Sequence, residues 1–69
     1  MNTTKLNELH KEFQKRLNDT ERRLKNGDYE YIADIQLEYD YEKAVIEGLE
    51  NIYNEDDYIE FFKKFLELN

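Results

Sequence analysis

No proline interrupts this chain of 69 residues, and its only glycines are Gly27 and Gly48. Proline and glycine are the strongest breakers of a regular backbone, so the sequence has little with which to divide long periodic segments. It is restricted to a few long elements, and the period of the apolar residues decides their type.

The first segment has an unambiguous period. Leu6, His10, Phe13, Leu17, Thr20 and Leu24 recur at intervals of four and three, a heptad seam that Leu9 widens. Thr3 or Thr4 is placed to cap this helix. Lys11, Lys15, Arg16, Arg22, Arg23 and Lys25 fall on its flanks, with the last of them suited to the negative end of the helix dipole. The "KNGD" that follows predicts a left-handed Gly27 just past the helix end and Asp28 as N-cap of a second helix.

Two periods compete in "YEYIADIQLEYDY", residues 29–41, where every odd position is apolar or aromatic and every even one except Ile32 is polar. A strand here would be about 43 Å long and would need a partner of similar length. The chain has no second alternating run, and alternation stops at Tyr41. The three-and-four spacing instead continues through Ile32, Ile35, Tyr39, Glu42, Ile46, Leu49 and Tyr53. The expectation is a second helix, apolar on two sides. One face carries Tyr31, Ile32, Ile35, Tyr39, Ile46, Leu49 and Tyr53; the other carries Leu37, Tyr41, Ala44, Val45 and Ile52. Gln36, Asp40, Lys43, Glu47, Glu50 and Asn51 form the solvated strip.

A helix with two apolar sides needs two partners. Antiparallel pairing across Gly27 would set Leu24 near Ile32, Leu17 near Tyr39, Leu6 near Leu49, and Glu42 near Phe13, His10 and Arg16. "NEDDYIEFFKKFLELN" supplies the other partner: Asn54 as N-cap, Asp57 three residues on, then an apolar face containing Tyr58, Ile59, Phe61, Phe62, Phe65, Leu66 and Leu68. The predicted fold is therefore all-α in a single domain, 1–69: an antiparallel hairpin of about 4–26 and 28–53, and a shorter helix of about 55–68. A three-helix core of this size rarely contributes more than about 3 to 5 kcal/mol. Completion of the bundle by a second copy, a dimer, is accordingly expected.

Chemistry is poorly provided for. Serine and cysteine are absent, there is one histidine, and no glycine-rich phosphate loop exists, so neither an enzyme nor a cofactor or metal site is expected. No apolar run approaches the length of a membrane span or a signal peptide, which predicts a cytoplasmic protein. The composition, rich in Asn, Lys, Glu, Ile and Tyr, suits an AT-rich bacterial phage or mobile element.

Charge is the informative feature. The net charge is −7, but residues 1–26 hold seven Lys/Arg against four Asp/Glu, while residues 27–69 hold three against thirteen. Nucleic acid and anionic membranes are poor partners for the acidic part; a basic protein surface is a good one. Glu30, Asp34, Glu38 and Glu42, at successive i+4 positions, form either a solvated row or an imitation of a phosphate backbone. Glu42, on a seam position, is expected to pair with His10 or Arg16. The expected partner-binding residues are Asp34, Glu38, Asp40, Tyr41, Asp56 and Asp57. They suit a small regulator or inhibitor of a larger protein, such as a nucleic-acid enzyme. The competing expectation is a structural homodimer with no dedicated ligand site.

Overall fold

The computed structural model describes residues 3–66. It is all-helical, with helices α1 (Thr3–Asn26), α2 (Ile32–Glu50) and α3 (Glu55–Phe61), the last running directly into a π turn, Phe62–Leu66. No strand occurs among the described residues, and the alternating stretch 29–41 is helical from Ile32 onward. The Leu68 end of the expected third helix, and the cap position before Thr3, lie outside the described residues. Thr3 and Thr4 are the first described residues of α1.

The α1 seam is as the heptad spacing predicts: Phe13, Leu17 and Thr20 are buried. Gly27 adopts φ 68°. The amide of Gly27 donates to the Leu24 carbonyl and that of Asp28 to the Arg23 carbonyl, which together make a Schellman motif. This motif corrects the expected start of α2. Asp28 is held as the second residue beyond α1, so it does not cap a following helix. Residues 28–31 form a connection instead, and α2 starts from Tyr31, extended at φ −127° and ψ 123°, with no side-chain cap. The helix also ends sooner than expected, at Glu50, with the Asn51 amide bonded to the Gly48 carbonyl and its side chain to the Glu47 carbonyl. Tyr31, Ile32 and Tyr53 consequently lie at or beyond the ends of α2 and are exposed, not core residues.

The expected antiparallel pairing places Leu6 near Leu49, and the two line one cleft, but Glu42 has a different partner from the one expected. Glu42 does not meet His10 or Arg16; its Oε1 accepts a hydrogen bond of 2.6 Å from the Thr20 hydroxyl, seven residues further along α1 than Phe13. Arg16 lies over the Phe13 ring at 4.9 Å, and His10 lines a shallow cleft with Leu6, Leu49 and Ile52. Glu42 is only 8% exposed, so the Thr20 bond satisfies a polar group that burial would otherwise penalise.

Phe13, Leu17, Val45, Ile46 and Phe61 make the core cluster, with Leu9, Tyr39, Leu49, Ile52 and Phe65 packed around it. Val45, expected on the second apolar face of α2, is fully buried. α3 packs across the hairpin through a notch at Gly48, where a Cβ would lie 3.0 Å from Phe61 Cδ2 and 3.1 Å from Phe65 Cε2. Asn54 caps α3 as expected, its side chain accepting from the Asp57 amide at 2.9 Å. The Asp57 carboxylate in turn accepts from the Tyr53 amide at 3.1 Å, a variant of the capping box reaching one residue further back.

Candidate interaction surface on the second helix

Because α3 and its π turn cover only the C-terminal part of the second face of α2, the N-terminal part of that face is left without a partner. Leu37 stands there, 67% exposed, and Tyr41, one turn further on, is 45% exposed. At about 100° per residue, Asp34 and Glu38 fall on one side of this apolar stripe and Asp40 on the other. All three carboxylates are exposed. Four of the six expected binding residues, Asp34, Glu38, Asp40 and Tyr41, therefore surround one exposed leucine.

Their local bonding differs. Asp34 has no ion pair among the described residues and sits in the first turn of α2, where the helix dipole favours a negative group. Glu38 Oε2 is 3.6 Å from Arg23 Nη1, an exposed contact of small energetic value. Arg23 is itself held by donating from Nε to the Asp28 carbonyl at 3.2 Å. Asp40 accepts from the Gln36 amide at 3.2 Å. The other α1 arginine nearby, Arg22, is tied to Asp19 at 2.9 Å and lies 3.9 Å from Asp28. The hydrogen bond and charge of Asp19 raise the Arg22 pKa above its ordinary value, with Asp28 adding less. The bases of α1 thus neutralise little of the stripe.

Tyr41 is more constrained than an open surface residue. Its hydroxyl donates to the Phe65 carbonyl at 3.2 Å, and its ring meets Phe13 and Phe65 edge-on at 6.1 and 6.4 Å. One edge of the ring anchors the π turn, while the remainder extends the stripe from Leu37. Asp56 and Asp57 are elsewhere, in the first turn of α3, beyond the C-terminal end of α2. Asp57 is occupied in capping, which leaves Asp56, with Glu55 beside it, as an exposed carboxylate in the first turn of α3. The two groups do not form one continuous surface.

The i+4 acidic row is also shorter than its sequence suggests. Glu30 precedes α2 and Glu42 is buried against Thr20, so only Asp34 and Glu38 form an exposed helical row. A cleft of about 270 Å³ lies beside them at the hairpin end, lined by Arg23, Tyr29, Glu30, Tyr31, Asp34 and Glu38.

Leu37, like Tyr31, Ile32 and Tyr53, is exposed where periodicity places it on an apolar face, in its case because α3 does not extend far enough to cover that face. Its signal is in the sequence: at helical spacing Leu37 has Asp34 three residues before it, Glu38 beside it and Asp40 three residues after it, an acidic surround for an apolar side chain. Among the described residues, no helix is long and apolar enough to cross a membrane. No family model, curated protein or solved structure matches this chain.

Proposed function

We propose that the chain is a small acidic interaction module that binds a basic surface of a larger protein through the Leu37–Tyr41 stripe, in the manner of a regulator or inhibitor. The observation that carries the reading is the exposure of Leu37 at the centre of three exposed carboxylates. Leaving most of a leucine in water forgoes on the order of 1 to 2 kcal/mol of burial. Apolar centres with charged rims are a common build for binding patches, the centre supplying affinity and the rim orientation and rate. The partner is expected to present an apolar side chain flanked by Lys or Arg.

The test compares the wild-type chain, immobilised, with Leu37→Ser and with the combined Asp34→Asn, Glu38→Gln, Asp40→Asn variant. Both variants should still melt cooperatively, within a few degrees of wild type, and lose the captured protein. Capture by the wild-type chain should weaken as salt rises from about 50 to 300 mM, where the screening length shortens to below about 10 Å. If the neutralised variant retains the same partner at the same salt, the carboxylates serve solubility alone and the proposal fails.

A further inference from the structure

A different apolar surface lies on α3 and the π turn. On the outer side of α3, Ile59 is 45% and Phe62 43% exposed. Tyr58 is stacked on Phe62 with ring centroids 6.5 Å apart. Together with Lys63 these residues line an open apolar hollow of about 300 Å³. Next to it runs a groove of about 260 Å³ between α1 and α3, with Leu6, Leu9, Tyr58 and Phe62 among its walls and Glu8 and Glu12 on its rim.

The charges on this side are ordered along the helix. Glu55 lies one α-helical turn before Ile59, and Lys63, four residues after it in the π turn, lines the same hollow as Ile59. Among the described residues, neither Glu55 nor Lys63 is in an ion pair. An acid, an apolar centre and a base at equal intervals have the property that two antiparallel copies are complementary: each Lys63 faces the partner's Glu55, with Ile59 on the two-fold axis. A two-fold contact uses the same patch twice, and this patch is self-complementary in charge while remaining apolar at its middle.

We propose that α3 is a homodimerisation helix, pairing antiparallel with α3 of a second copy about Ile59. In this arrangement each Phe62 enters the α1/α3 groove of the other copy, and two Lys63–Glu55 contacts flank the centre. The patch is small, so the dimer is a weak one that forms as concentration rises rather than an obligate assembly. It leaves the Leu37–Tyr41 stripe outside the contact and does not depend on that stripe having a ligand.

Sedimentation equilibrium of the full chain over a broad micromolar range, at low salt, tests the pairing. The wild-type chain should pass from monomer to dimer. Lys63→Glu and Glu55→Lys should each raise the dissociation constant about tenfold or more, since like charges then meet twice. An equimolar mixture of these two variants should recover dimer as a heterodimer, as should the Glu55→Lys, Lys63→Glu double variant with itself. Ile59→Asp should abolish association, and a circular dichroism melt of each variant confirms that it is folded. The mixing experiment needs no comparison of stabilities, because both species are present together. A wild-type chain that stays monomeric throughout overturns the proposal and leaves the face to a different protein. A dimer indifferent to Ile59→Asp and to the charge reversals overturns it too, because association then uses another surface.

Discussion

Gly48→Ala sets two opposed effects against each other at one atom. Within a helix, alanine in place of glycine gains about 1 kcal/mol from backbone entropy. Here the added Cβ would lie 3.0 and 3.1 Å from two atoms of the Phe61 ring and 3.1 Å from the Phe65 ring. Unstrained carbon contacts are about 3.5 to 4.0 Å, so both rings must withdraw by about half an ångström. Overfilling a packed site by one methyl costs about 1 to 3 kcal/mol. Packing therefore wins, and the net effect is a destabilisation of about 1 kcal/mol, or a Tm lowered by about 4 to 8 °C for a domain of this size. Urea and thermal unfolding followed by circular dichroism supply both values. The reasoning also predicts a change of sign in a Phe61→Ala background. There two of the three close contacts are gone, and Gly48→Ala should become neutral or stabilising, with a coupling of about 1 to 2 kcal/mol between the sites. A Gly48→Ala chain that melts higher than wild type, or an identical effect in both backgrounds, would refute the notch as the seat of α3.

Three further expectations concern a buried hydrogen bond and two helix ends. Thr20→Val should cost about 1.5 to 3 kcal/mol in urea unfolding, because it leaves the buried Glu42 carboxyl without its donor, and the Thr20→Val, Glu42→Leu pair should recover most of that loss. Gly27→Ala should cost about 1 to 2 kcal/mol, since only glycine takes φ 68° without strain, and Gly27→Asn should cost less. Asn54→Ala should remove about 1 kcal/mol through the lost α3 cap, with faster amide exchange concentrated in residues 55–61.

Where helical period alone decided the outcome, the sequence was a reliable guide: Phe13, Leu17, Thr20, Ile35 and Ile46 are seam positions and all are buried. The solvated strip from Gln36 to Asn51 is exposed throughout, also as its angular position predicts. Legibility failed where two local rules claimed one residue. Asp28 is a good N-cap by residue type, but its amide completes the end of α1, and a backbone engaged in that turn cannot also open the next helix. The delay to Ile32 then exposed Tyr31 and Ile32. Of the expected binding residues, Asp34, Glu38 and Asp40 stand around the stripe as exposed groups, whereas Asp57 is engaged by a cap that its own spacing from Asn54 had announced. The role of Gly48 as a packing notch is not evident from helical period. A lone helix-interior glycine followed by phenylalanines at 61 and 65, four apart, is the pattern that would have marked a ring-packing site.

The hydroxyl of Tyr41 gives the molecule a form of reciprocity. One side chain lies in the stripe on α2 and also fastens the main chain of the π turn through the Phe65 carbonyl. Whatever binds the stripe is thereby linked thermodynamically to the attachment of the C-terminal segment. A ligand that rests on the exposed part of the ring and leaves the hydroxyl in place favours the attached state, and attachment raises affinity for that ligand by the same factor. A ligand that takes the hydroxyl as its own donor has the opposite effect: it frees the Phe65 carbonyl and weakens the attachment of the π turn, while Phe61 in the core still holds α3 on the hairpin. The sign of that linkage is set by a single proton on one phenol.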